Sequence, residues 1–197
     1  MLVTPVISQL AQRLATMPVD QKEASQEPPA PEPVVIAGFG RVGRRIGQIL
    51  EIAGRPYVAI DFNSSLVLRE RANGHRIFYG DVRRPEVLRA AGIADAKLVI
   101  ITLDDFEATE DVLAALRQVR PNVTILVRGH SADQCRTLRK LGASLVVSEN
   151  LEASLELARE ALLRDHSDAD AADSLILRFR HEHYSNVEQD DSDQRRP

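Results

Sequence analysis

Short runs of β-branched and aliphatic residues alternate with longer segments of helical periodicity between Val34 and Arg164. Each run is apolar at nearly every position, which is typical of parallel strands covered by helices on both faces of a sheet. The pattern predicts an α/β fold: a Rossmann-like, doubly wound sheet of six parallel strands in the order 3-2-1-4-5-6. The predicted strands are Val34–Ala37, Tyr57–Ile60, Arg76–Tyr79, Leu98–Thr102, Thr124–Val127 and Leu145–Val147.

The two ends of the chain have different patterns. Apolar residues recur at helical spacing over residues 1–18, which predicts an amphipathic helix, and four prolines within residues 19–33 predict an extended linker. Residues 165–197 are acidic and low in large apolar side chains, so we expect a mostly disordered tail there, in which SLILRFR could form a last strand or a short amphipathic segment. The folded domain is therefore predicted to span residues 34–164.

Charge and cysteine content narrow the class of function. The net charge is −4, but residues 34–164 carry 19 basic and 16 acidic side chains, so the acidity lies outside the predicted domain. Neither part has the strongly basic character of a nucleic-acid-binding protein, and no nucleic-acid partner is expected. The single cysteine, Cys135, excludes an internal disulfide and a multi-cysteine metal site, and it fits a reducing, cytoplasmic compartment.

A glycine-rich turn follows the first predicted strand and precedes the first predicted helix. Gly38, Gly40 and Gly43 form the pattern G-x-G-x-x-G. These glycines allow a tight turn, a close approach to a pyrophosphate and close packing of helix on strand, while N–H groups at the helix start bind phosphate oxygens. Arg41, inside the turn, can add a charged hydrogen bond to a phosphate. A glycine turn that only connects a strand to a helix is the alternative.

Asp61 ends the second predicted strand, 18 residues after Gly43. A carboxylate at this place accepts hydrogen bonds from ribose hydroxyls and repels a 2′-phosphate, and no arginine follows within Phe62–Ser65 to compensate. The sequence thus favours NAD(H) or an adenosine nucleotide such as AMP over NADP. Capping of the next helix is the alternative role for Asp61, although Asn63 or Ser64 can also provide that cap.

Polar residues follow the other strands at the same edge of the sheet. Asp81 can bind an adenine base together with the backbone after it, or can cap the helix that starts at Pro85. The residues expected to converge on the crevice from strands four and five are Thr102, Asp104, Arg128 and His130. Arg128 can meet a phosphate or a bound acid, or can pair with an acidic neighbour. The predicted cofactor contacts are Gly38, Phe39, Gly40, Arg41, Val42, Gly43, Asp61, Phe62, Asp81, Val82, Thr102 and Arg128, with no catalytic residue and no metal ligand.

Four blocks of the chain resemble the RCK or TrkA N-terminal domain, the regulatory nucleotide-binding domain of potassium transporters and channels: VVIAGFGRVGRRIG, YVAIDFN, YGDVRRPEVLRAAGIADAKLVIITLDD and ILVRGHSADQCRTLRKLGASLVVSENLEASLELAREAL. The chain is most similar to the version attached to Kef-type glutathione-gated potassium/proton antiporters. The resemblance implies a homodimer formed through the helix near Leu151 to Leu163, with NAD(H) or AMP in the glycine crevice and glutathione conjugates sensed near the dimer interface. The stretch MLVTPVISQLAQRLA is similar to the cytoplasmic end of those antiporters' last membrane helix.

The resemblance implies a non-enzymatic, ligand-sensing domain that controls potassium transport by a membrane antiporter or channel subunit, in the cytoplasm or at the inner face of the cell membrane. An NAD-dependent oxidoreductase and a degenerate nucleotide-binding scaffold are the alternatives. Only 33 residues follow Arg164, which leaves no room for a substrate domain of an oxidoreductase. The intact glycines and Asp61 argue against a scaffold that has lost its ligand.

Overall fold

One six-stranded parallel sheet organises the protein. The computed structural model describes residues 32–165 and 168–193, and in them the strand order is β3-β2-β1-β4-β5-β6, which confirms the predicted topology. The strands are β1 (Val34–Ala37), β2 (Tyr57–Asp61), β3 (Ile77–Tyr79), β4 (Leu98–Ile101), β5 (Thr124–Gly129) and β6 (Leu145–Ser148). The helices are α1 (Arg41–Ile52), α2 (Ser64–Ala72), α3 (Pro85–Ala90), α4 (Phe106–Val119), α5 (Ala132–Lys140), α6 (Glu149–Arg164) and α7 (Ala169–Asp193), with a 3-10 turn at Ile93–Asp95.

The two faces of the sheet carry separate hydrophobic cores. Successive residues of a strand point to opposite faces, so Val35 and Ala37 join the larger core with α3, α4 and α5. Ile36, between them, joins the smaller core with α1 and α2. All three side chains are fully buried. This two-sided cover is the reason that the strands are apolar at nearly every position.

The carboxyl ends of β1, β2 and β4 lie side by side. Ala37 pairs with Ile60 on one side and with Ile101 on the other. The Gly38 N–H donates to the Ile60 carbonyl at 2.9 Å, which ties the glycine turn to β2. The loops after these strands therefore meet at the point where the strand order reverses, the usual place for a ligand crevice in this architecture.

The prediction of a disordered tail is wrong for the described residues, because Ala169–Asp193 forms the helix α7. Its inner face buries Ala172 and Ile176 and packs on α5 and α6. Farther along the same face, the Tyr184 hydroxyl accepts a hydrogen bond from the Ser148 N–H at 3.1 Å and donates to Glu152 at 3.0 Å. Tertiary packing of one helix face outweighs the acidic composition that predicted disorder.

Some of the predictions cannot be compared with the structure. The amphipathic helix over residues 1–18 and almost all of the linker over residues 19–33 lie outside the described residues. Among the helices that are described, none combines the length and the apolar character that a membrane span requires.

Candidate functional site

The glycine turn is held by contacts that only glycine permits. Gly38 has a φ of +92°, in the left-handed region. A Cβ atom at Gly43 would lie 2.1 Å from the Gly38 carbonyl oxygen and 2.9 Å from the Thr102 hydroxyl oxygen. The Thr102 hydroxyl donates to that same carbonyl at 2.8 Å, and its side chain is buried. Gly38 and Gly43 are thus required for the turn itself, and Thr102 fixes its orientation.

Gly40 serves a different purpose from the other two glycines. It is the N-cap of α1, and a Cβ atom placed on it would meet no protein atom within 4 Å. The first N–H groups of a helix have no partner within the helix, and the first turn of α1 contains no acidic side chain. The open space at Gly40 therefore lies beside backbone donors suited to a phosphate.

The Asp61 carboxylate faces this turn. Its Oδ2 accepts a hydrogen bond from the Phe39 N–H at 2.7 Å, and its Oδ1 accepts one from the Asn63 N–H at 2.8 Å. The cap of α2 comes from Asn63, whose side-chain oxygen accepts from the Leu66 N–H at 3.0 Å. Asp61 therefore does not take its alternative role as the cap of α2.

Asp81 lies at the carboxyl end of β3, as predicted, but its carboxylate does not cap α3. The N-cap of α3 is Arg84, which makes no side-chain cap hydrogen bond. Both Asp81 oxygens instead accept hydrogen bonds from the Arg83 guanidinium, at 2.7–3.1 Å. This contact with Arg83 holds the pKa of the Asp81 carboxyl below its usual range.

Arg128 takes the second of the two roles left open for it, which is pairing with acidic neighbours. Its guanidinium donates to the Leu103 carbonyl at 3.2 Å and to the Asp104 carboxylate, and lies 3.5 Å from Glu149. The contact lowers the pKa of the Asp104 carboxyl. Arg128 is largely buried and is not among the residues that line the cleft. A contact between Arg128 and a ligand remains a prediction, and the burial and acidic partners of Arg128 do not support it.

A cleft of about 620 Å³ opens between the glycine turn and the loops after β2, β3 and β4. The predicted contacts that line it are Gly38, Gly40, Asp61, Phe62, Asp81, Val82 and Thr102. The Phe62 ring is 72% exposed, so it is available as an apolar surface for a planar ligand group.

The other predicted contacts lie away from the lining. Gly43 is buried against the Gly38 carbonyl, and Phe39 is fully buried, with its ring stacked on Tyr57 at 5.9 Å between centroids. Arg41 is exposed and Val42 is half-buried at the start of α1. Phe39 belongs to the site through its backbone N–H, which binds Asp61.

Helix α4 supplies part of the lining that sequence reasoning missed. Glu107, Ala108 and Asp111 contribute from its first turns, and Arg83 contributes from the loop after β3. A usable signal was present: α4 begins directly after β4, so its first turn must lie at the same edge of the sheet as the glycine turn. Acidic residues at a helix start also complement the helix dipole, so those of α4 do not by themselves indicate a ligand site.

The lining combines the groups that an adenosine nucleotide needs. Backbone N–H groups at the start of α1 can hold a phosphate, the Asp61 carboxylate can accept from ribose hydroxyls, and Phe62 and Asp81 can meet a base. The six carboxylates of the lining are Asp61, Asp81, Asp104, Asp105, Glu107 and Asp111. This acidic wall disfavours ligands with many negative charges.

Residues 34–149 match the family of the TrkA-N domain. The chain belongs to this family. It is 30% identical over 187 residues to the glutathione-regulated potassium-efflux system protein of Haemophilus influenzae, and 32% identical over 163 residues to the KefC protein of the same description from Cronobacter sakazakii. These matches cover 91% and 82% of this chain but only 30% and 26% of the relatives, so the chain spans less than a third of their length.

Several solved structures have the same fold as this chain. The Shewanella denitrificans Kef C-terminal domain in its AMP-bound form aligns with a TM-score of 0.69 and 26% identity, over 80% of this chain and 96% of that one. The GsuK structure bound to ADP aligns with a TM-score of 0.53 and 31% identity, over 59% of this chain and 30% of that one. The GsuK channel bound to NAD aligns with a TM-score of 0.63, over 77% of this chain and 27% of that one, at 19% identity, which supports the fold alone. The resemblance to the Kef-type domain is thereby confirmed.

Proposed function

We propose that this TrkA-N domain senses an adenine nucleotide, AMP or NAD(H), and regulates potassium transport by a membrane antiporter or channel subunit. The observation that carries the proposal is the Asp61 carboxylate, whose Oδ2 accepts a hydrogen bond from the Phe39 N–H of the glycine turn at 2.7 Å. Phosphate donors and a ribose acceptor are thus adjacent, as an adenosine phosphate requires. The relatives that match most of this chain are potassium-efflux proteins, and the matched Kef domain binds AMP.

The proposed contacts divide by ligand group. The backbone of Gly40 and the first turn of α1 hold the phosphate, and Asp61 binds the ribose hydroxyls. Phe62 and Asp81 meet the base, while Thr102 keeps the turn in place. When bound, the nucleotide supplies only binding energy, and regulation depends on its different affinity for two arrangements of the transporter.

The domain is proposed to be non-catalytic. Within the part of the chain that the structure describes, the cleft lining contains no histidine, cysteine, serine, lysine or tyrosine. Cys135 is 3% exposed, and burial raises the pKa of its thiol, so it is no thiolate nucleophile.

Isothermal titration calorimetry with AMP, NADH, NAD and ATP tests the proposed ligand class. We expect Asp61→Ala to weaken the binding of AMP and of NADH at least about tenfold, because a hydrogen bond to a charged group contributes about 1.5–3 kcal/mol to the binding free energy. Asp95→Ala is the matched control, since Asp95 is an exposed carboxylate that precedes β4, at the opposite edge of the sheet. ATP should bind more weakly than AMP because of the acidic wall. Failure of every nucleotide to bind the unchanged protein overturns the proposal.

A homodimer through α6 is also proposed. Leu157 on this helix is 73% exposed, whereas Leu155 is buried against the domain. A second copy that covered Leu157 would remove that apolar surface from water. Sedimentation equilibrium should show a dimer whose dissociation constant rises in Leu157→Asp but not in Leu68→Asp, a similarly exposed leucine on α2. A monomer at all concentrations contradicts this part of the proposal.

A further inference from the structure

Both oxygens of the Asp81 carboxylate accept hydrogen bonds from the residue two positions after it. Its Oδ1 accepts from the Arg83 backbone N–H at 3.1 Å and from the Arg83 Nε at 2.9 Å. Its Oδ2 accepts from the same Nε at 3.1 Å and from a terminal guanidinium nitrogen at 2.7 Å. Three N–H donors of Arg83 thus contact the two oxygens, with the Nε–H shared between them, whereas a carboxylate offers about four lone-pair positions. The exocyclic amino group of an adenine would compete with the Arg83 guanidinium for these oxygens.

The ion pair of Arg83 and Asp81 stands between two cavities. Asp81, Arg83 and Asp111 line the main cleft and also a neighbouring groove of about 400 Å³ whose wall includes Pro85 and Gln118. The Arg83 side chain is 51% exposed, so solvent surrounds half of it and its guanidinium has room to turn into that groove. The groove therefore offers Arg83 a place away from the cleft.

A second acceptor for Arg83 is already near. Besides Asp81, the carboxylates of Asp111 and Asp105 act electrostatically on the Arg83 guanidinium. Asp111 lies on α4 and lines the groove as well as the cleft. An arginine that left Asp81 could therefore stay paired by moving to Asp111.

We propose that Arg83 competes with the adenine base for Asp81, and that base binding requires the Arg83 guanidinium to transfer from Asp81 to Asp111. The inference rests on the proposed function, because it concerns the same cleft and the same ligand class. It makes Arg83 a specificity-determining residue: only a ligand with an amino donor in the plane of the base gains the released carboxylate. The transfer also links the loop after β3 to helix α4 when the ligand is bound.

Adenosine is the appropriate probe, because it lacks the phosphate that Arg83 would attract at long range. In calorimetry at low ionic strength, Arg83→Gln should bind adenosine about two- to fivefold more tightly than the unchanged protein, the range measured for exposed ion pairs. Arg84→Gln is the matched control: Arg84 is exposed, carries the same charge one residue away and reaches Asp81 through its backbone N–H. It should leave adenosine affinity unchanged. Thermal unfolding checks that each variant is folded.

A double-mutant cycle with Asp111→Asn tests the transfer itself. The substitution should weaken adenosine binding about two- to fivefold in the unchanged protein and have no effect in the Arg83→Gln background. Equal effects in both backgrounds overturn the transfer to Asp111, and unchanged or weaker adenosine binding by Arg83→Gln overturns the competition. If the unchanged protein binds neither adenosine nor AMP, the proposed function fails, and this inference fails with it.

Discussion

Gly40 and Gly43 separate ligand binding from folding, although both belong to one sequence motif. The Cβ atom of a valine at position 40 would meet no protein atom within 4 Å apart from its chain neighbours. Its cost to folding is limited to the poorer helix cap, about 1 kcal/mol. The same side chain would stand between a phosphate and the N–H groups of α1. Loss of one or two charged hydrogen bonds, at about 1.5–3 kcal/mol each, should weaken AMP binding at least about tenfold.

Gly43→Ala provides the opposite case with a smaller side chain. Its methyl group would lie 2.1 Å from the Gly38 carbonyl oxygen, which belongs to the backbone and cannot rotate away. Helix α1 must then move off the sheet, and overpacking of this kind costs about 1–3 kcal/mol. Urea unfolding gives the folding free energies and calorimetry with AMP gives the affinities. The reasoning is refuted if Gly40→Val binds AMP as the unchanged protein does, or if Gly43→Ala is as stable as the unchanged protein.

Three further substitutions test the contacts around the sheet. Burial raises the pKa of Glu70, but hydrogen bonds from Arg69, Asn73 and Arg44 outweigh it, so the net pKa is lowered. The stability that the ionised Glu70 contributes is therefore present above its unfolded-state pKa and is lost as the pH falls through the folded-state pKa. In urea unfolding, Glu70→Gln should lower the free energy of unfolding by about 1–2 kcal/mol at pH 7 and by less in acid. A loss of stability that does not change with pH would contradict this role of the ionised Glu70. Tyr184→Phe should lower the free energy of unfolding by about 1 kcal/mol, and amide hydrogen exchange in α7 should become faster than in α4. Equal exchange rates in the two helices would show that the hydroxyl does not anchor α7. Asn63→Ala should cost about 1 kcal/mol through the lost cap of α2, and unchanged stability would place that cap elsewhere.

The parts of the fold that follow from local pattern could be predicted from the sequence. Val35 and Ile36 face different cores, so the strand is apolar throughout and identifies itself as covered on both faces. The glycine turn could also be placed from local pattern, because backbone geometry at Gly38 and Gly43 dictates the spacing of its glycines. Strand order then followed from the usual 3-2-1-4-5-6 order of a doubly wound sheet that carries this glycine turn.

What depends on contacts between distant residues could not be read from the sequence. Arg128 pairs with Asp104, 24 residues away, and the pairing is created only when β4 and β5 lie side by side. The same holds for helix α7, because its inner face can be identified only once it is seen to pack on α5 and α6. The Arg83 pair is local in sequence but was missed because Asp81 was weighed only as a base acceptor or a helix cap.

The structure also indicates how a bound nucleotide could affect the rest of the domain. Ribose hydroxyls that bind Asp61 would share its carboxylate with the Phe39 N–H, 22 residues away in sequence. The Phe39 ring lies in the smaller core against Tyr57 and His75, with centroid distances of 5.9 and 5.6 Å. The Tyr57 hydroxyl in turn donates to Glu51 near the end of α1 at 2.8 Å. These contacts form a continuous path from Asp61 through Phe39 and Tyr57 to the last turn of α1, the kind of packed network that can carry a coupling of about 1–3 kcal/mol between sites.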